Sequence, residues 1–130
     1  MTTTHEELAK RHIEWATAHE STRSELVAVE NKLDAQLALL KANGDELREL
    51  AVELDAADDP DTRHELEISR SSAQAWADQL RDGIRNLTAA RDRLRVELDR
   101  LAVIDRELDR DALDLARSMK RHPAGKKREP

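Results

Sequence analysis

The residues best suited to chemistry are two histidines, His12 and His19, with Trp15 between them. Seven residues apart on a helix, the two imidazoles share a face, where they could ligate a metal ion or titrate near neutrality. The sequence contains no Glu-x-x-His, so the carboxylate-bridged two-metal site of helical bundles is not encoded. The same spacing puts both histidines at one heptad position, where polar residues set register and weaken one end of a coiled coil. That structural role is the expectation, with no metal ion and no cofactor.

The second cluster is the acidic run Asp55-Ala56-Ala57-Asp58-Asp59-Pro60-Asp61. Carboxylates gathered at a turn can chelate a hard cation such as Mg²⁺. They can equally cap a helix and favour its dipole. In its acidic tip and hairpin alone, the arrangement resembles the transcription factors that insert an acid-tipped coiled-coil hairpin into the secondary channel of RNA polymerase. The resemblance implies a polymerase contact through Asp58, Asp59 and Asp61. The departures are Pro60 at the tip and the absence, within these residues, of a globular or zinc-bearing docking domain.

The third cluster is basic: Lys120, Arg121, Lys126, Lys127 and Arg128, in a stretch that also holds two of the three prolines. Such a segment reads as a disordered tail able to touch nucleic acid or an acidic protein surface. It has no aromatic residue on which a base could stack, which weakens the nucleic-acid reading. No Gly-rich phosphate loop or nucleophile–base pair is recognisable. A non-enzymatic role is therefore expected.

The elements that would position these clusters follow from composition. The 130 residues include 38% charged and 38% hydrophobic side chains, two Trp, no Phe, Tyr or Cys, and three each of Gly and Pro. Strand-and-turn architectures need aromatics, β-branched residues and frequent turn formers, so β-structure is excluded. Disulfides and thiolate metal sites are excluded by the lack of cysteine. No window is apolar enough for a membrane span and the N-terminus has no apolar signal core, so a soluble, cytoplasmic protein is expected. The net charge of −6 divides into −6 over residues 1–56, −4 over 57–79, zero over 80–118 and +4 over 119–130.

Leucines and their substitutes recur at alternating spacings of four and three. In the first half, Leu8, Trp15, Thr22, Val29, Gln36, Asn43 and Leu50 alternate with His12, His19, Leu26, Leu33, Leu40, Leu47 and Leu54. This is a coiled-coil heptad without a phase slip. In the second half, Leu66, Ala73, Leu80, Leu87, Leu94, Leu101, Leu108 and Leu115 repeat every seven residues. Their companions are mixed, with Trp76 or Ala77 and Gly83 or Ile84 as alternatives, so the stripe is wider. Thr4-x-x-Glu7 and Thr62-x-x-Glu65 are capping-box sequences, and Asp59-Pro60 offers an N-cap followed by proline at the first helical position. Asn43-Gly44 could stop a helix, but the uninterrupted heptad favours continuity.

These signals predict an all-α fold: a long antiparallel two-helix coiled-coil hairpin over residues 1–119, with helices at 5–56 and 61–119, a turn at 57–61, and the tail at 120–130. Each helix would span roughly 80–90 Å at 1.5 Å per residue. Residues whose numbers total about 117 should face one another, which sets Trp15 near Leu101 and Leu40 near Trp76 and Ala77. The Arg-rich stretch from Arg81 to Arg100 is balanced by nearby Asp and Glu and reads as a salt-bridged outer face of the coil, which across the hairpin would face the acidic first helix.

Val27, Leu37, Leu39, Val52, Ile68, Val96, Val103 and Leu113 fall off the seam. Burying each is worth roughly 1.5–3 kcal/mol. They imply a helical protein partner, most simply a second copy forming a four-helix bundle dimer. The candidate partner-binding residues are Leu37, Leu39, Val96, Val103 and Leu113, with the acidic tip and basic tail beside them. The expected function is a scaffold, adaptor or assembly factor. The alternative is a nucleic-acid- or polymerase-associated accessory protein.

Overall fold

A computed structural model describes residues 4–121, so the candidates Lys126, Lys127 and Arg128 lie outside the described residues. The described chain is a helical hairpin of α1, His5–Ala56, and α2, Pro60–Arg121, with no strand among the described residues. Both helices contribute to each of two compact units, which among the described residues are 27–92 and 4–26 with 93–121.

In the unit of residues 27–92, the connection is only Ala57-Asp58-Asp59. Asp59 is the N-cap of α2: its Oδ2 accepts from the Thr62 amide at 3.2 Å and from the Thr62 hydroxyl at 2.9 Å. Pro60 begins the helix, where its missing N–H and fixed φ carry no penalty. Thr62 therefore lies inside α2, and the Thr62–Glu65 capping register is not used. The C-terminus of α1 has no basic residue in its last turn. Arg63 of α2 supplies the cation instead, donating from Nη1 to the Leu54 carbonyl at 2.9 Å and more distantly to that of Ala57 at 3.4 Å. The Leu54 carbonyl also accepts from the Ala57 amide at 3.3 Å, so the guanidinium fills its second lone pair and complements the dipole of α1.

Leu33, Leu50, Leu54, Ala73, Ala77 and Leu80 form the buried core of this unit. Ala77 takes the seam position and its rival Trp76 remains 45% exposed. Asn43 is buried in the seam, and its Nδ2 donates to the Ala73 carbonyl at 2.9 Å. Its Oδ1 has no hydrogen-bond partner. The amide orientation follows from this network, since the flipped form would set Oδ1 against the carbonyl oxygen. Gly44 does not interrupt α1. A methyl group there would meet only Arg48 Nη1, at 3.9 Å. Gly83 lies opposite Gln36, whose Oε1 would sit 3.5 Å from an added Cβ, an ordinary contact.

In the unit of residues 4–26 and 93–121, Thr4 and Glu7 close the expected capping box. The Glu7 amide donates to Thr4 Oγ1 at 3.1 Å, and the Thr4 amide to Glu7 Oε2 at 3.4 Å. Leu8, Leu101 and Leu108 are buried. Trp15 and Leu101 meet, as the hairpin register expects: Trp15 Nε1 donates to the Leu101 carbonyl at 2.7 Å. Arg11 Nη1 reaches Asp111 Oδ2 at 2.9 Å, and His5 Nε2 lies 2.9 Å from Met119 Sδ.

Two outcomes test this description by chemical denaturation. Gly44→Ala should stabilise the chain by about 1 kcal/mol, because a continuous helix interior loses the glycine penalty and the added methyl has room. Asn43→Asp should destabilise it by about 3 kcal/mol at neutral pH, by placing a carboxylate in the seam against a carbonyl oxygen. Burial raises the folded-state pKa of the new acid above its unfolded value. Stability should therefore be retained below the unfolded pKa, where the protonated acid can donate to Ala73, and be lost as pH rises through the folded value.

Candidate interaction surfaces

The side chains that could make a site divide between those consumed by the fold and those left outside. Trp15 and His19 belong mainly to the first group. Their rings stack with centroids 4.8 Å apart and planes 18° apart, while the indole N–H is bound to Leu101. His12 and His19 are both half-buried on the seam side of α1. No group of three or more potential metal ligands occurs among the described residues. A shallow cavity of about 250 Å³ beside Trp15 is lined by Arg11, Glu14, Ala18, Arg100, Leu101 and Ile104.

The acidic tip is divided in the same way. Asp58, Asp59 and Asp61 are all exposed, and Asp59 turns its carboxylate to its own helix terminus as a cap. A carboxylate that accepts from the first turn of α2 is less free to bind a cation. Lys120 is exposed near the end of α2, and Arg121 is the last residue of that helix.

The Arg-rich stretch forms the salt-bridged face that its interspersed acids suggest. Arg81 pairs with Asp78 and Arg85 with Asp82, one turn back on α2, and Arg91 with its neighbour Asp92. Arg100 binds Glu97 through two hydrogen bonds, at 2.9 and 2.6 Å. The hydrogen bonds from Arg100, with its charge, hold the Glu97 carboxyl below the ordinary glutamate range and raise the guanidinium pKa. Acids one turn back capture Arg81, Arg85 and Arg100 because an i, i+3 partner is already in reach and orders fewer side-chain torsions than a partner across the hairpin. Solvent-facing pairs of this kind contribute little to stability.

What remains outside is apolar. Val27, Leu37, Leu39, Val52, Ile68, Val96, Val103 and Leu113 are all exposed, from 44% at Val103 to 68% at Val52. Ile13, Met119 and Trp76, the last an alternative for the α2 seam, are also exposed large apolar side chains. Trp76 is outside because the seam of α2 passes through Ala77. Ile13 adjoins the histidine end of the seam, where the pattern gives no apolar reference. No helix of the described residues is long and apolar enough to cross a membrane. Comparison with protein-family models, curated proteins and solved structures finds no match for this chain.

The tip can be tested residue by residue. Asp59→Ala should cost about 1 kcal/mol through loss of the N-cap. Asp58→Ala and Asp61→Ala should each stay within about 0.5 kcal/mol of the parent, as surface changes do. Equal losses at all three positions in thermal unfolding would contradict the cap assignment.

Proposed function

We propose that the chain is a non-enzymatic interaction protein, a helical hairpin that self-associates and serves as a scaffold or adaptor for other helical proteins. A cytoplasmic setting is part of the same reading. The supporting observation is the apolar surface that two helices leave uncovered. A two-helix hairpin buries one stripe of each helix, and here that stripe is already occupied by the heptad leucines. The exposed Leu37, Leu39, Val52, Val96, Val103 and Leu113 have no place in it. Large exposed aliphatics on several sides of a helix favour contact with further helices.

Sedimentation equilibrium of the full chain tests the self-association half of this reading. The apparent mass should rise with concentration toward twice the 14.8 kDa of one chain. A strict monomer up to about 1 mM, where association worth about 4 kcal/mol would be visible, would end it.

A further inference from the structure

Between Leu33 and Asn43, α1 alternates leucine with polar residues along its seam, while one outer stripe is apolar. Its seam positions include a half-buried Gln36 and a buried Asn43, both polar. Its outer positions Ala35, Ala38, Leu39 and Ala42 are all exposed and all apolar. Their spacing of three, one and three residues places these four on a single stripe. Leu37, two residues from Leu39, points to the opposite flank and does not belong to it. The whole stripe lies within the unit of residues 27–92. Leu39 stands as a knob, and three alanines around it let the backbone of another helix approach closely.

The charges at the two ends of the stripe say which helix fits. Toward the N-terminus it runs into exposed Asn31 and Lys32, and toward the C-terminus into exposed Asp45 and Glu46. Beside it lie exposed Asp34 and Lys41. The stripe is therefore apolar at its centre, basic at one end and acidic at the other. An antiparallel helix with the same pattern is its complement, and α1 of a second copy has that pattern. Rotation about a two-fold axis between Ala38 and Leu39 sets Ala35 against the second copy's Ala42, and Ala38 against its Leu39. It also brings Lys32 to the second copy's Asp45 and Glu46, and Asp34 near its Lys41. Parallel in-register pairing would instead oppose like charges. A two-fold interface makes every such contact twice.

We propose that this outer face of α1 is a self-recognition surface, on which a second copy of the chain docks its own α1 antiparallel about Ala38 and Leu39. The proposal rests on the self-association reading and assigns its surface. Asp45 already contacts Arg48 within α1, so Glu46 is the freer acid and the better partner for Lys32.

Sedimentation equilibrium on full-length variants, with circular dichroism to verify helix content, tests it. Leu39→Lys should yield a monomer of unchanged helicity, because Leu39 is exposed in the single chain. Lys32→Glu and Glu46→Lys should each weaken the dimer by on the order of tenfold, since both symmetric contacts become repulsive. The double variant should return to within about threefold of the parent, because the pair is restored with its signs exchanged. Fourteen residues of helix separate Lys32 from Glu46, about 21 Å, so one side chain cannot rescue the other within a copy. The chain has no cysteine, so Ala38→Cys should give a disulfide-linked dimer under mild oxidation, whereas Val52→Cys should not. A dimer that persists through Leu39→Lys and both charge reversals overturns this surface and leaves self-association standing on another face. A parent chain that stays monomeric overturns both.

Discussion

Everything in this molecule depends on one constraint: two helices joined by three residues can share only one seam. Ala57, Asp58 and Asp59 fix which turn of α1 meets which turn of α2, and the register is held from there. Two interactions secure that junction. Asp59 satisfies the first turn of α2, and Arg63 reaches back to the last carbonyls of α1. Each group bonds to the backbone at one helix end, and the turn contains no glycine and no left-handed residue among those described. Within residues 27–92, Ala73, Ala77 and Leu80 then fall on the α1 leucines. Among residues 4–26 and 93–121, Leu101 and Leu108 play the corresponding part.

The seam is not uniformly apolar, and its polar members set direction as well as register. A leucine seam tolerates a shift of one heptad at modest cost, because every seventh residue is again apolar. Asn43 and Trp15 do not. Each donates a hydrogen bond to one particular carbonyl of α2, Ala73 for the amide and Leu101 for the indole. A shifted register would strand both donors. Asn43 already leaves its Oδ1 buried and unpaired, a desolvation cost of about 1–3 kcal/mol. A leucine at this position would avoid that cost but would not distinguish one register from another.

Much of this was legible in the sequence, and the reason is periodicity. Every residue assigned to the α1 heptad from Leu8 to Leu54 is buried or half-buried, including His12, His19, Thr22, Gln36 and Asn43. Spacing identified the polar members as securely as the leucines, because a helix turns its side chains by a fixed angle per residue. The Trp15–Leu101 contact followed from chain folding alone, although its hydrogen bond did not. The interspersed acids marked Arg81–Arg100 as a salt-bridged face, and Arg81, Arg85, Arg91 and Arg100 do bind acids on their own helix. What escaped were contacts set by packing across the hairpin. Arg63 was invisible as a cap because its acceptors belong to the other helix. Trp76 and Ala77 were adjacent candidates, and only packing against α1 could choose the smaller residue. At the tip, Pro60 marked Asp59 as the N-cap, and its carboxylate does accept from Thr62.

The polar seam and the apolar exterior of α1 bear on each other through stability. Polar residues at Gln36 and Asn43 reduce what the hairpin gains by folding alone, while Ala35, Ala38, Leu39 and Ala42 keep apolar surface in water on the same two turns. Any partner that binds the folded hairpin and not the unfolded chain adds RT ln(1 + [L]/Kd) to its stability. Covering the outer face therefore supports the same stretch of helix that the polar seam weakens. On the self-association proposed above, association would be coupled to the stability of one short segment of α1. Its inner side determines which residues of α2 it meets, and its outer side determines what else it can bind.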